Sequence, residues 1–133
     1  VQTAKHVQST AEGWAVLIGY SGTNFAELGI YIALFFLVPL MEELIYRGLL
    51  QHAFFKDSRF ALDLLLPSIL FALPHFSNFP SLLDIFVFAT SGIIFAGLTR
   101  YTKSIYPSYA VHVINNIVAT LPFLLTFLHR VFG

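Results

Sequence analysis

The chain has 133 residues, 57% of them hydrophobic and only 11% charged, with a mean hydropathy of +0.78. A soluble domain carries about a quarter of its residues as Asp, Glu, Lys or Arg, and a small domain has the most surface per residue to cover. A water-soluble globule is therefore excluded, and lipid is the solvent for most of the chain. Seven basic and seven acidic side chains balance, so no global field attracts nucleic acid; the lack of cysteine removes disulfides, thiolate metal sites and a cysteine nucleophile.

Residues 1–22 are mixed in character. Within them, 13–20 is apolar but short of the roughly 20 residues that cross a bilayer. With Trp14 and Tyr20 at its ends it suits the interface, or it is the stump of a helix cut off upstream. The chain starts at Val1 rather than Met, which reads as a processed product or a fragment, and no signal peptide is visible. A first strong element is expected over residues 25–55, apolar in front, kinked at Pro39, and studded with polar groups behind. The second covers 60–76, interrupted at Pro67 and Pro74. The third covers 82–98, with Thr90, Ser91 and Gly92 as a small step for close helix packing, and the fourth runs from Tyr106 to about Phe132. The expected fold is an all-α, polytopic bundle of about four spans, with residues 23–133 as one transmembrane domain. The turns holding Lys56 with Arg59, and Arg100 with Lys103, fall on one side, which the positive-inside rule assigns to the cytoplasm or its equivalent.

Ionisable residues inside spans are expensive and mark pathways or sites. Here they are Glu42, Glu43 and Arg47 on the first element, His75 on the second, and His112 with Asn116 on the fourth. At about 1.5 Å per residue, Glu42 lies about 21 Å from Lys56, His75 about 24 Å from Arg59, and Asn116 about 20 Å from Lys103. All six thus share a slab near the middle of a hydrocarbon core about 30 Å thick. Glu43 and Arg47 are four apart and share a helix face, as do His112 and Asn116. Glu42 is rotated away from Glu43, so one carboxylate can neutralise Arg47 while the other faces a cavity. A carboxylate and an imidazole can hold and deprotonate one water; an imidazole N–H and an amide can stabilise an oxyanion. No serine sits in a nucleophile context, and H-E-x-x-H is absent.

Three motifs carry a resemblance. Glu42 to Arg47 has the form E-E-x-x-x-R, Phe71 to His75 the form F-x-x-x-H, and His112 to Asn116 the form H-x-x-x-N. In this order, on hydrophobic helices at matching depth, they resemble the CPBP family of CAAX proteases and bacteriocin-processing enzymes, also called Abi. The resemblance spans about residues 28–122. It implies an intramembrane endopeptidase in which Glu42 and His75 activate the attacking water. His112 and Asn116 would form the oxyanion site, with Glu43 and Arg47 supporting it. No cofactor is implied. A zinc held by His75, His112 and Glu42 is chemically reasonable, but metal-free hydrolysis is the expectation. The implied partners are the bilayer and a membrane-associated or prenylated peptide substrate, in a bacterial inner membrane or a plastid (thylakoid) membrane.

Each group also has a plainer reading. Glu43 and Arg47 are expected as a structural ion pair; His75 could serve only the break at Pro74; His112 and Asn116 could serve only interhelical hydrogen bonding. The alternative function is accordingly a non-catalytic scaffold, immunity or assembly subunit sheathed by other membrane subunits. A transporter is disfavoured, because four spans with no inverted repeat leave little room for alternating access.

Overall fold

The computed structural model describes residues 24–58, 61–76 and 80–133. The interfacial segment expected over 1–22 and most of the turn near residue 78 lie outside them. The fold is an all-α bundle. Helix α1 is one continuous rod: α-helical over Asn24–Ile32, π-helical over Ala33–Leu37, α-helical over Val38–Glu43 and π-helical again over Leu44–Phe54. Helix α2 is Leu62–Ala72 with a 3₁₀ turn Leu73–His75; α3 is Leu82–Thr102 and α4 is Tyr106–Phe132.

Three of these, Phe25–Phe54, α3 and α4, are long and apolar enough to cross a membrane. The chain is an integral membrane protein. Of the four expected elements, α2 is the short one. Its 11 α-helical residues and 3-residue 3₁₀ turn reach about 22 Å, short of a 30 Å core. Pro74 tightens the last turn and Phe76 is already extended, so the helix stops at mid-depth with His75 at its tip. The bundle surface is apolar, with Leu37, Met41, Ile69, Ile94 and Val118 all outward. In water that would be a large sticky patch; in lipid it is the solvated face.

Proline shapes α1 by widening it rather than by a sharp bend. In the first π segment the Val38 N–H bonds Ala33 O, five residues back. Next in that register, Leu34 O would receive the N–H of residue 39, which is Pro and has none. Asn116 of α4 fills the gap, its Nδ2 donating to Leu34 O at 3.0 Å. Tyr109 Oη also donates to the backbone of this segment, at Phe36 O, 3.2 Å away. Around this seam Tyr31, Phe35 and Phe127 form the apolar core between the front of α1 and the back of α4, with ring centroids 5.8 and 5.4 Å apart.

The small step on α3 packs as its composition suggests. A Cβ on Gly92 would lie 3.0 Å from Ser68 Cβ and 3.1 Å from its Cα, so only glycine lets α2 and α3 approach this closely. Helix α3 starts in a capping box, where Ser81 Oγ accepts from Asp84 N–H and Asp84 accepts from the Ser81 N–H. It ends at Lys103 in the left-handed region. The ends of α1 and α3 and the starts of α2 and α4 meet at one end of the bundle. The basic residues Lys56, Arg100 and Lys103 gather there around one pocket.

Candidate active site

Helix α1 places Glu43, Arg47 and Gln51 four residues apart on the face turned to the bundle, and all three are buried. Two of them are tied to consecutive turns of α3. Arg47 Nη2 donates to Gly92 O at 3.0 Å, and Gln51 Nε2 donates to Ala96 O at 2.8 Å. The Arg47 guanidinium lies between two rings, 4.8 Å from the Phe71 centroid and 5.3 Å from that of Phe95. Cation–π contact gives back part of what burying the charge costs. Its Nε is 3.6 Å from Glu43 Oε2, so the expected ion pair exists, wholly inside the protein.

Helix α4 closes on the same carboxylate. Ser108 Oγ donates to Glu43 Oε2 at 2.5 Å, and His112 Nδ1 lies 3.0 Å from Glu43 Oε1. A carboxylate only accepts, so His112 presents N–H at Nδ1. That fixes the ring and aims Nε2 at the neighbouring carboxylate, 3.3 Å from Glu42 Oε2. Phe95 stacks on the ring at 4.5 Å.

His75 is set by the same logic. Its Nδ1 lies 2.8 Å from Phe71 O; a carbonyl only accepts, so Nδ1 carries a proton and Nε2 is turned outward. That nitrogen is 3.6 Å from Glu42 Oε1. The Glu42 carboxylate therefore stands between two imidazoles, one oxygen toward each. Glu42 keeps 20% of its side-chain surface and His75 keeps 26%, whereas Glu43 keeps none. Among the described residues, this is the exposed side of the polar cluster.

Of the six residues singled out from sequence, five converge: Glu42, Glu43, Arg47, His75 and His112. Asn116 sits one turn beyond His112 with one amide N–H engaged by Leu34 O, which leaves it a second. Three residues of the cluster escape a reading of sequence. Ser108 has a weak signal, being one turn before His112 on the same face. Gln51 extends the spacing of Glu43 and Arg47 by one more turn. Phe71 is the opening residue of its motif, and its role is now visible: its carbonyl orients His75, and its buried ring packs on Arg47, His75 and His112.

The donor chemistry of His75, His112 and Glu42 would suit a zinc ion. Among the described residues, however, no group of three or more His, Asp or Glu side chains is placed to hold a metal. The two Glu42 oxygens instead face one imidazole nitrogen each, at 3.3 and 3.6 Å.

Comparison with known families gives a match to the model described as type II CAAX prenyl endopeptidase Rce1-like, over residues 24–118. No curated protein and no solved structure matches the chain. The matched region contains every residue of the cluster.

Proposed function

This chain belongs to the type II CAAX prenyl endopeptidase Rce1-like family, and from that premise we propose that it is an intramembrane endopeptidase whose Glu42 and His75 activate a water. The observation that carries the reading is the position of the Glu42 carboxylate, held between two oriented imidazoles at a partly exposed edge of a buried polar cluster.

The steps follow from the hydrogen-bond directions. A water resting on the open side of Glu42 Oε1 and His75 Nε2 gives up a proton to one of them as its oxygen attacks the scissile carbonyl. The carbonyl oxygen becomes an oxyanion beside α4. There His112, when protonated at Nε2, and the free N–H of Asn116 are the available donors. The abstracted proton is then returned to the leaving amine. Glu43 is a positioning residue: it holds His112 through Nδ1 and balances Arg47, and touches no reacting atom.

The substrate class proposed is a membrane-associated peptide carrying a prenyl group, whose lipid chain partitions beside the apolar faces of α1 and α2 while the scissile bond reaches mid-depth. The test is cleavage of such a peptide by the purified protein in bilayers, with Glu42→Gln and His75→Ala alongside. Product from the wild type alone is expected, and a chelator should leave the rate unchanged. Loss of activity on chelation, restored by zinc, would replace metal-free water activation. If the wild type makes no product from any membrane-anchored peptide, and both variants still perform the cellular role, the chain acts as a scaffold.

A further inference from the structure

The basic end of the bundle holds a pocket of ≈ 380 Å³ that adjoins the cluster just described and shares Arg47 and Gln51 with it. Four cationic side chains line it, Arg47, Lys56, Arg100 and Lys103, against one carboxylate, Asp63. Asp63 is 3.5 Å from Arg100; Lys56 and Lys103 make no ion pair among the described residues. The pocket also collects buried polar atoms that have no hydrogen-bond partner: Arg47 Nη1, Gln51 Oε1, Ser58 Oγ and Thr99 Oγ1. Arg47, Gln51 and Thr99 are each more than nine-tenths buried.

Orphaned buried groups are rare, and each is costly unless something satisfies it. Four of them converging on one cavity call for an occupant that both donates and accepts. The cations and the Arg47 N–H ask for an oxyanion. The Gln51 carbonyl oxygen, an acceptor, asks for a hydroxyl, which the two hydroxyl side chains also suit. The pocket opens at the ends of the helices, at headgroup level, and the start of α4 lines it through Ser104 and Ile105, adding its partial positive charge. Its volume suits a headgroup rather than an acyl chain.

We propose that this pocket binds the glycerol-phosphate headgroup of an anionic phospholipid, the phosphate on Arg47, Lys56 and Lys103 and the glycerol hydroxyls on Gln51 and Thr99. Basic pockets between helix ends are a recurring way to hold such headgroups. The inference does not depend on the hydrolytic reading. Arg47 is shared by both places, so the ligand sits directly behind the Glu43–Arg47 pair.

The test compares purified protein reconstituted with pure phosphatidylcholine and with phosphatidylcholine containing phosphatidylglycerol. The readouts are the thermal unfolding midpoint and the lipid retained on re-extraction, measured by mass spectrometry. Phosphatidylglycerol should raise the midpoint and be retained in preference to phosphatidylcholine. The exposed double variant Lys56→Gln/Lys103→Gln should lower that retention about 30-fold, at about 1 kcal/mol per lysine. Thr99→Val keeps shape and charge but removes one buried hydroxyl, and should lower it about tenfold. Soluble glycerol phosphate that reproduces the midpoint shift would identify the headgroup alone as the ligand; a shift with the lipid only would show that the acyl chains are required. Equal retention of both lipids with no response to glycerol phosphate would overturn the proposal. So would a preference that falls in the lysine variant but not in Thr99→Val, since that is surface attraction outside the pocket.

Discussion

Glu42 and Glu43 are neighbours in the chain, yet they stand in two regions with different physics. Behind Glu43 the protein is closed. Both carboxylate oxygens are taken, by Ser108 and His112, and Arg47 beyond it is clamped by two rings and a backbone carbonyl. Around Glu42 the same kinds of group are held apart, at 3.3 and 3.6 Å from the two imidazoles, with part of the surface open. The difference teaches how a helix bundle can carry a reactive carboxylate in lipid. One residue uses its charge to fix geometry, and the adjacent one is left under-satisfied so that it can act on a third party.

Breaking the closed side should have the largest effect on stability. Arg47→Ala leaves Glu43 buried without its counter-charge, and should cost about 3–5 kcal/mol in a denaturant titration in mixed micelles. The pair Glu43→Gln/Arg47→Met removes both charges and should recover much of that loss, because no unpaired ion remains. Gly92→Ala drives a methyl into Ser68 and should cost about 1–3 kcal/mol by the same titration, with the Arg47 contact to Gly92 O disturbed as α3 shifts. Asn116→Ala sharpens the comparison from α4. If its amide serves only Leu34 O, stability falls by about 0.6–1.7 kcal/mol and turnover holds; if it also meets the oxyanion, kcat falls about 100-fold or more. Smallest of all is Arg130→Gln. Its two 2.7 Å contacts to Glu27 lie on a half-exposed side chain, so no more than about 1 kcal/mol should be lost.

Much of this was legible in the sequence for definite reasons. A charge in an apolar run is conspicuous, and counting residues from the basic turns gives its depth, which is why Glu42, His75 and His112 could be placed together. Four-residue spacing gave the Glu43–Arg47 pair. The length of α2 was harder to read, because Pro74 can be carried inside a helix or can end it, and only the extended Phe76 decides. Partners on the backbone left no trace: nothing in the residue types at 34, 92 or 96 says that their carbonyls receive Asn116, Arg47 and Gln51. Phe71 was legible only as the opening residue of its motif; in a chain with 15 phenylalanines nothing said that its ring and carbonyl organise the site. The basic pocket depends on four helix ends meeting, which no local pattern announces.

The central claim is the division of labour between the two carboxylates, and Glu42→Gln tests it most directly. Its turnover of a prenylated peptide and its unfolding transition would be measured on the same reconstituted sample. Turnover should drop by about 100-fold or more, with stability within about 1 kcal/mol of wild type, since Glu42 is partly exposed and carries no packing role. A folded Glu42→Gln protein that cuts at the wild-type rate would contradict the account.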